Sequence, residues 1–312
     1  MLDLSFDNKL LNIIPEERFF RDEPMYKHTT FRVGGAAERY ISVKDADEIN
    51  DVIAICRDCE VPFWLIGNGS NLLVSDEGLK GVCIEIGADM RDIAITQEAN
   101  DYMIVTASAG VLLSGLAAFA LKNSLHGLEF AAGIPGTVGG AMVMNAGAYG
   151  GEMKDVVLSV TALNPADGRI VTLSNEEMQF SYRNSTIRKE GLIVLSVDYH
   201  LEKGDAAAIK GTMDELASKR REKQPLEFPS AGSTFKRPVG FFAGKLIQDC
   251  DLMGYSVGGA EVSAKHAGFV INKGNATATD IYRLIREVQE AVYADTGVRL
   301  EPEVIMLGDF RL

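Results

Sequence analysis

The sequence predicts a protein of mixed α+β class that folds as more than one domain. Apolar residues at helical spacing in residues 46–59 lead directly into the strand-like run PFWLIG. Strand-like segments dominate residues 80–200, and helical patterns return after residue 205. A chain of 312 residues exceeds the size of one ordinary core, so we expect two or three domains.

The first predicted helix has a capping pattern at its start. Asp45 is followed three residues later by Glu48, which is typical of a helix N-terminus. One face of this helix carries the apolar residues Ile49, Val52, Ile53 and Cys56. Cys56 and Cys59 form a C-x-x-C pair, which is typical of redox or zinc chemistry, but no histidine lies at ligand spacing. We therefore interpret Cys56 as a core residue and expect no metal site.

Five segments of the next region have the composition of strands. They are residues 81–86, 102–110, 156–164, 168–174 and 192–201, with one helix near 112–123 after the second. A helical segment at 206–222 ends before Pro225, which indicates a domain boundary. Residues 241–254 then predict a helix and 261–272 a strand, and a last helix starts at Thr277 and ends at Gly297.

The charge balance excludes some classes of function. A net charge of −13 argues against sequence-independent binding of nucleic acid, which needs a surplus of Lys and Arg. No apolar run reaches the roughly 18 residues that span a bilayer, and the N-terminus lacks the pattern of a signal peptide. We expect a cytoplasmic protein without membrane insertion, in which any anionic substrate meets a local basic pocket.

Glycine is concentrated in two segments. Residues 133–152 contain seven glycines and no charged residue before Glu152, and residues 67–71 read GNGSN. Such runs either form tight turns or allow main-chain N–H groups to approach a ligand. The second segment does not fit a Rossmann fingerprint, because Leu72 and the residues after it are strand-like rather than the start of a helix. No P-loop motif is present.

Polar residues stand out in three further segments. Tyr182 and Arg183 precede a string of hydroxyl residues, Ser233 follows a flexible Ala-Gly pair, and Glu303 lies in a strand-like apolar run. Taken singly, such residues are usually solvated at the surface. Their significance depends on the whole set.

Seven ordered motifs together resemble one family. They are HTTFRVGG, LIGNGSNLLVSD, GLEFAAGIPGTVGGAMVMNAGAYGGE, FSYRNSTIR, KQPLEFPSAGSTFKRP, GGAEVSAKHAGFVIN and LEPEVIMLG. In this order they are similar to the UDP-N-acetylenolpyruvoylglucosamine reductases of bacterial cell-wall synthesis. The stretch between Lys236 and His266 leaves little room for a tyrosine-bearing substrate flap, so the resemblance is to the shorter form of the family.

The resemblance implies a fold and a cofactor. The fold is a two-lobed α+β FAD-binding domain of the vanillyl-alcohol-oxidase type, over residues 1–204 with lobes of about 1–80 and 81–204. A smaller α+β substrate-binding domain follows at 205–300, and residues 301–312 form a strand that carries Glu303. The implied loop around the FAD pyrophosphate is Gly67, Asn68, Gly69, Ser70 and Asn71. The implied channel beside the flavin is lined by Gly133, Pro135, Gly136 and Gly140.

The resemblance also implies a reaction with NADPH as the hydride donor. FAD, once reduced, delivers a hydride to the methylene carbon of an enolpyruvyl ether, and negative charge develops beside the substrate carboxylate. Arg183 matches the arginine that holds this charge, and Glu303 matches the glutamate that helps to stabilise the intermediate. Ser233 matches the serine that protonates the carbon.

Substrate contacts and partners follow in the same way. Lys223 matches a lysine at the UDP diphosphate, Arg220 and Arg221 are weaker candidates beside it, and Tyr182 and Lys236 are expected to face the substrate. Tyr149 packs either against a ligand or in the core. His266 is interpreted as structural. We expect a monomer whose partners are the UDP-sugar and NADPH, with roles in peptidoglycan synthesis, cell shape and cell division.

Two alternatives stay open at this point. One is a flavin oxidase or dehydrogenase of the same fold with another substrate, and the other is a nucleotide-binding protein without redox function.

Overall fold

The computed structural model describes residues 2–311, and the chain divides into two compact units. Unit 1 consists of Met1–Phe20, Tyr40–Asn68 and Val82–Arg220, and unit 2 of Arg21–Arg39, Gly69–Gly81 and Arg221–Leu312.

Eight α-helices lie within the described residues. They are α1 Leu4–Leu11, α2 Ala46–Asp58, α3 Leu113–Lys122, α4 Val138–Met144, α5 Thr186–Glu190, α6 Ala206–Lys223, α7 Ala243–Asp249 and α8 Ala278–Thr296. The predicted caps are confirmed for two of them. Asp45 Oδ1 accepts a 2.9 Å hydrogen bond from the Glu48 N–H at the start of α2. At α8, Thr277 and Asp280 form a capping box, and Gly297 ends the helix with φ +71°.

Seventeen strands lie in the same part of the chain. They are β1 Phe19–Pro24, β2 Ala36–Ser42, β3 Phe63–Ile66, β4 Leu72–Val74, β5 Leu79–Glu85, β6 Ile93–Glu98, β7 Tyr102–Ser108, β8 Leu125–His126, β9 Gly147–Ala148, β10 Gly151–Glu152, β11 Val157–Leu163, β12 Ile170–Ser174, β13 Ile193–Lys203, β14 Ser256–Val257, β15 Ala260–Val262, β16 Val270–Asn272 and β17 Ile305–Leu307. A four-stranded sheet has the order β1-β2-β5-β3, and β3 pairs with β5 in parallel.

Unit 1 is built on an antiparallel sheet of order β12-β11-β13-β7-β6, with β8 also paired to β13. Along β13, Val197, Tyr199 and Leu201 are buried while the residues between them are more exposed, which is the alternation of a sheet with one face in the core. The buried side joins one continuous cluster with the apolar faces of α2, α3 and α4.

Unit 2 has its own core. The apolar face of α8 buries Ile281, Leu284, Ile285, Val288 and Val292 completely, and the cluster includes residues of α7 and the β14-β15-β16 sheet. Two segments from the N-terminal part of the sequence, Arg21–Arg39 and Gly69–Gly81, also belong to this unit. β4 pairs in parallel with β17, and Asp76 accepts hydrogen bonds of 2.9 and 2.8 Å from the N–H groups of Ala278 and Thr279 at the start of α8.

The unit bounds differ from the predicted division after residue 204. Helix α6 is in unit 1 up to Arg220, and unit 2 includes residues 21–39 and 69–81. The physical reason is long-range pairing, because β4 and Asp76 find their partners in the C-terminal part of the sequence. These units are defined by packing, whereas the predicted division at residue 204 was by function.

Two local expectations were wrong, and one helix in the glycine segment was not predicted. The glycine segment contains α4, because Thr137 caps Val138–Met144 and the burial of Val138, Ala141 and Met142 outweighs the roughly 1 kcal/mol that each helical glycine costs. Residues 261–272 form β15, a turn and β16 rather than one strand. Glu303 lies before β17, because its N–H donates to the Thr234 carbonyl oxygen, whereas the pairing of β17 with β4 starts at Ile305.

The N-terminal helix α1 was not predicted at all. Its cap is Asp3, whose carboxylate accepts a 2.9 Å hydrogen bond from the Phe6 N–H, and Phe6 and Leu10 are buried. No helix among the described residues is long and apolar enough to cross a membrane.

Candidate active site

Unit 1 contains an open pocket with mainly apolar walls and glycine main chain at one side. The lining includes Leu65, Ile66, Gly67, Thr137, Gly139 and Gly140. A Cβ at Gly67 would lie 2.5 Å from Thr137 Oγ1, so a larger residue does not fit there without displacing the threonine. The close approach of β3 to the start of α4 therefore depends on glycine at this position.

The other residues of the predicted channel lie outside this lining. Pro135 accepts a 2.7 Å hydrogen bond at its carbonyl oxygen from Asn68 Nδ2, and the Gly136 carbonyl oxygen accepts one of 3.0 Å from the Leu113 N–H. A Cβ at Gly133 would lie 2.6 Å from the guanidinium of Arg220. These residues support the segment that leads into α4.

The loop of residues 67–71 presents main-chain donors. Within residues 2–311, no group accepts a hydrogen bond from the N–H of Gly67 or Asn68 in unit 1, or from that of Gly69 or Ser70 in unit 2. Gly69 has φ +58°, and a Cβ on it would lie 1.9 Å from the His28 carbonyl oxygen. Asn71 instead uses its side chain inside unit 2, where Nδ2 donates to the Glu303 carbonyl oxygen at 3.0 Å.

Arg183 lies at the tip of a tight turn in unit 1. Ser181 and Asn184 exchange two main-chain hydrogen bonds of 3.0 and 3.2 Å, which close the turn. The φ of Arg183 is +55°, a left-handed conformation that costs a non-glycine residue about 1 kcal/mol. Its guanidinium carbon lies 5.1 Å from the ring centroid of Tyr182, which is 54% exposed. The turn thus holds an arginine and a tyrosine near the surface of unit 1.

Ser233 and Glu303 are held close together in unit 2. The Glu303 N–H donates a 2.8 Å hydrogen bond to the carbonyl oxygen of Thr234, the residue after Ser233. Two further hydrogen bonds of 2.9 Å fix Thr234, which donates its N–H to the Gly268 carbonyl oxygen and accepts the Val270 N–H at Oγ1. Thr234 is completely buried, whereas Ser233 is exposed and Glu303 half-buried. The serine therefore reaches solvent from a rigid main chain.

Basic side chains lie around the end of α6 and along the Ser233 segment. Lys223 and Arg221 are exposed, and the Arg221 carbonyl oxygen accepts a 2.8 Å hydrogen bond from Lys265 Nζ. Lys236 forms an ion pair with Glu301. In unit 1, Arg220 lies 6.0 Å from the Tyr149 ring centroid. Tyr149 is 44% exposed, so the interpretation as a core residue is wrong.

Cys56 is a structural residue. Cys56 is fully buried in the core of unit 1, as predicted, and burial, with a smaller contribution from Cys59, raises its thiol pKa to about 12. A thiol with this pKa stays protonated and unreactive near neutral pH. Among residues 2–311 there is no group of three or more metal-ligating side chains.

Two residues that position the site were not singled out from the sequence. Thr137 caps α4 and lines the pocket, and Thr234 connects Ser233 to Glu303. A threonine just before an apolar run is a recognisable cap signal, so Thr137 was detectable. Nothing in the sequence near Thr234 distinguishes it from an ordinary strand residue.

The comparison with known proteins first defines the class. A family profile described as an FAD binding domain matches residues 37–174, which include most of the pocket in unit 1. Apolar walls suit a flavin ring, and unpaired main-chain N–H groups suit a diphosphate, so the residues present fit FAD. The protein is a flavin oxidoreductase of α+β fold with an FAD-binding domain.

The family is defined by the rest of the chain. A profile described as UDP-N-acetylenolpyruvoylglucosamine reductase, C-terminal domain, matches residues 224–307. The reductase of that name from Agathobacter rectalis is 51% identical over 99% of this chain and 100% of its own length, and the one from Clostridioides difficile is 50% identical over 96% and 97%. The crystal structure of the Thermus caldophilus reductase is 34% identical, with a TM-score of 0.78, and covers 93% of this chain and 98% of that one.

The chain belongs to the UDP-N-acetylenolpyruvoylglucosamine reductase family. Membership decides against the two alternatives, a flavin enzyme for another substrate and a nucleotide-binding protein without redox function.

Proposed function

We propose that Arg183, Ser233 and Glu303 carry out the FAD-dependent reduction of UDP-N-acetylglucosamine enolpyruvate to UDP-N-acetylmuramate in this chain, with NADPH as the hydride donor. The observation that supports the roles of Ser233 and Glu303 is the 2.8 Å hydrogen bond from Glu303 to Thr234, which keeps the two residues close in unit 2. We further propose that the protein acts in the cytoplasm as a monomer, in a step that serves cell shape and division.

Bound FAD supplies the hydride chemistry between the nicotinamide and the enolpyruvyl carbon. The residues of the chain bind and orient the cofactor. The main-chain N–H groups of the 67–71 loop bind the diphosphate, since those of residues 67–70 are unpaired within the described chain. Gly140 lines the flavin pocket, and Gly133, Pro135 and Gly136 shape the segment before it.

Arg183 stabilises the charge that develops on the substrate. Hydride addition to the enolpyruvyl carbon places negative charge next to the substrate carboxylate, and a guanidinium binds both oxygens in a planar arrangement. The left-handed φ of Arg183 supports this role, because a glycine there would satisfy the turn at lower cost.

Ser233 delivers the proton that completes the product. A serine hydroxyl acts as a general acid only where a neighbour relays a proton to it or stabilises the charge it gains. Glu303 is held beside this segment, because its N–H donates to the Thr234 carbonyl oxygen and its own carbonyl oxygen accepts from Asn71 Nδ2. We propose that Glu303 stabilises the intermediate from this position.

The nucleotide part of the substrate meets basic and aromatic side chains. We propose that Lys223 binds the UDP diphosphate, with Arg220 and Arg221 as weaker contributors, and that Lys236, Tyr149 and Tyr182 contact the substrate. The exposure of Lys223, Tyr149 and Tyr182 supports these assignments. By function, residues 1–204 bind the cofactor, residues 205–300 bind the substrate, and residues 301–312 supply Glu303.

The test is direct. The purified protein with its flavin is mixed with the enolpyruvyl substrate and NADPH, and the product is identified by mass spectrometry. We expect loss of flavin absorbance with NADPH alone, its recovery when substrate is added, and the mass of UDP-N-acetylmuramate. Parallel reactions with NADH test the donor. Flavin reduction without product would overturn the proposed substrate, and faster reduction by NADH would overturn the proposed donor.

A further inference from the structure

A line of hydrogen bonds leads from His266 through Gly268 and Thr234 to Glu303, and Ser233 is the residue before Thr234. The Nδ1 atom of the His266 ring accepts a 3.1 Å hydrogen bond from the Gly268 N–H. The carbonyl oxygen of the same Gly268 accepts the Thr234 N–H at 2.9 Å, and the carbonyl oxygen of Thr234 accepts the Glu303 N–H at 2.8 Å. Gly268 and Thr234 are therefore each held at both their N–H and their C=O, and the ring of His266 fixes the first of these four contacts.

The His266 ring lies in a tightly closed turn between β15 and β16. Ser263 and Phe269 close this turn through a 2.9 Å main-chain hydrogen bond, and Ser263 Oγ accepts the His266 N–H at 3.3 Å. The ring contacts Phe269 edge-on, with centroids 4.8 Å apart. A Cβ at Gly268 would lie 3.0 Å from ring atom Cε1, which shows how closely the ring and the glycine main chain pack.

The hydrogen bond at Nδ1 fixes the chemical state of the ring. An imidazole nitrogen that accepts an N–H carries no proton, so the proton of the neutral ring is on Nε2. Partial burial lowers the pKa of His266, which favours this neutral form. A protonated ring would direct an N–H at Nδ1 toward the Gly268 N–H, and the hydrogen bond would be lost.

The charged groups on the elements around the ring are paired with one another. These pairs are Lys265 with Glu227 beside the turn, Lys273 with Glu261 of β15, Lys245 with Asp249 in α7, and Lys236 with Glu301 beside Thr234. Because each acidic group is next to a lysine, it does little to stabilise a positive charge on His266.

We propose that His266 is a positioning residue, whose neutral ring orients Gly268 and thereby holds Ser233 and Glu303 in their working geometry. The inference deepens the proposed function, since it rests on the roles given there to Ser233 and Glu303. This role requires no contact between His266 and the substrate or the flavin. Its effect is confined to the product-forming half of the reaction, in which Ser233 and Glu303 act.

Two substitutions separate positioning from general packing. His266→Leu removes the acceptor at a similar volume, and His266→Asn keeps an acceptor oxygen at the place of Nδ1 but does not titrate. His126→Asn is the matched control, because His126 is an exposed histidine in unit 1 that pairs with Glu202. Melting temperature and flavin content are measured for each variant before any rate.

The first readout is amide hydrogen exchange, which needs no substrate. We expect the N–H groups of Thr234 and Glu303 to exchange faster in His266→Leu than in the wild type, and those of α8 to be unchanged. In His266→Asn and His126→Asn we expect the N–H groups of Thr234 and Glu303 to exchange at the wild-type rate. Unchanged exchange at Thr234 and Glu303 in a folded His266→Leu variant would overturn the proposal.

The second readout compares the half-reactions and their pH dependence. A misplacement of about 1 Å costs about 100-fold in rate, so we expect a loss of that order for product formation in His266→Leu while NADPH reduces the flavin at the wild-type rate. His266→Asn restores product formation and removes an acid limb that the wild type shows below about pH 6.5. Equal loss in both halves, or an acid limb retained by His266→Asn, would contradict positioning.

The experiments distinguish failure of the His266 proposal from failure of the proposed function. If the wild type forms no product, the proposed function is wrong, and the exchange readout still decides whether His266 orients the segment. If His266→Leu does not fold, the decision passes to His266→Asn, which must retain product formation and lose the acid limb.

Discussion

The carbonyl oxygen of Thr234 accepts a 2.8 Å hydrogen bond from the N–H of Glu303. Two residues that are far apart in the sequence are thereby neighbours, and Ser233 lies beside them on the same main chain. Because Thr234 is buried and held by three hydrogen bonds, the exposed Ser233 hydroxyl extends from a main chain with little freedom to move. This arrangement is suited to a group that must meet a short-lived intermediate.

Replacement of Ser233 should separate the two halves of the reaction. Ser233→Ala removes the proposed general acid, so we expect product formation to fall by about 100-fold to 10,000-fold, while NADPH reduces the flavin at close to the wild-type rate. Stopped-flow flavin absorbance measures each half. Ser230→Ala, three residues earlier, is the control and should leave both rates unchanged. Reoxidation by substrate within a few-fold of wild type would remove Ser233 from the chemistry.

Substitution of Gly69 should impair flavin binding. Gly69→Ala places a Cβ 1.9 Å from the His28 carbonyl oxygen at φ +58°, so the 67–71 loop must move. We expect the purified variant to hold much less FAD than the wild type, measured by absorbance after denaturation. Gly211→Ala is the matched control, because no atom lies within 4 Å of its Cβ position in α6. It should retain FAD and gain up to about 1 kcal/mol in stability. Full flavin in Gly69→Ala would refute the loop assignment.

Substitution of Arg183 should change activity and stability in different directions. Arg183→Gly relieves a left-handed conformation worth about 1 kcal/mol and loses a cation–π contact with Tyr182 of about 0.5 kcal/mol, so we expect no loss of melting temperature. Product formation should fall at least about 100-fold, since a charge-stabilising donor is removed. Arg183→Lys keeps the charge but not the planar fork and should be intermediate. A drop in stability with activity preserved would show that the arginine serves the turn alone.

The ion pair between Arg18 and Glu48 should make the stability of unit 1 depend on pH. Burial acts to raise the Glu48 pKa, but hydrogen bonds from Arg18 and the Lys44 N–H, with their charges, outweigh it and lower the pKa below its usual 4.5. A carboxyl with a depressed pKa stabilises the fold above about pH 4.5, and this contribution is lost as the pH falls through the lower folded value.

Removal of Arg18 tests this dependence. Arg18→Met leaves the buried Glu48 carboxylate with only the exposed Lys44 as its ionic partner, which costs about 3 kcal/mol at pH 7 and less at pH 4, where Glu48 takes up a proton. Urea unfolding at both pH values measures the difference. Arg169→Met is the control, because its pair with Asp167 is exposed and worth less than about 1 kcal/mol. An equal cost at both pH values would show that charge is not the cause.

Several elements were predictable because their signals are local. The caps at Asp45 and Thr277, the apolar face of α8 and its end at Gly297 all depend on residues within a few positions of each other, and the structure has them where the sequence predicts. The order of seven short motifs was sufficient to indicate the family, because motifs record local main-chain requirements such as the glycines of the 67–71 loop.

Other features were beyond local signals. Helix α4 in the glycine segment was not predicted, because it depends on the burial of Val138, Ala141 and Met142, and burial depends on the rest of the unit. The compact units could not be predicted either, because β4 pairs with β17 across most of the sequence.

The sequence by itself determined the class of fold, the family, the flavin and the identities of the proposed site residues, since each follows from short-range patterns of residue type. Only the tertiary structure decided that Glu303 and Ser233 are neighbours, that Thr234 joins them, and that His266 lies at the start of the same line of hydrogen bonds. The physical reason is that residue types do not specify which main-chain groups form a hydrogen bond with each other. Any residue except proline offers the same N–H, and any residue the same C=O, so the pairing is set by how the whole unit packs.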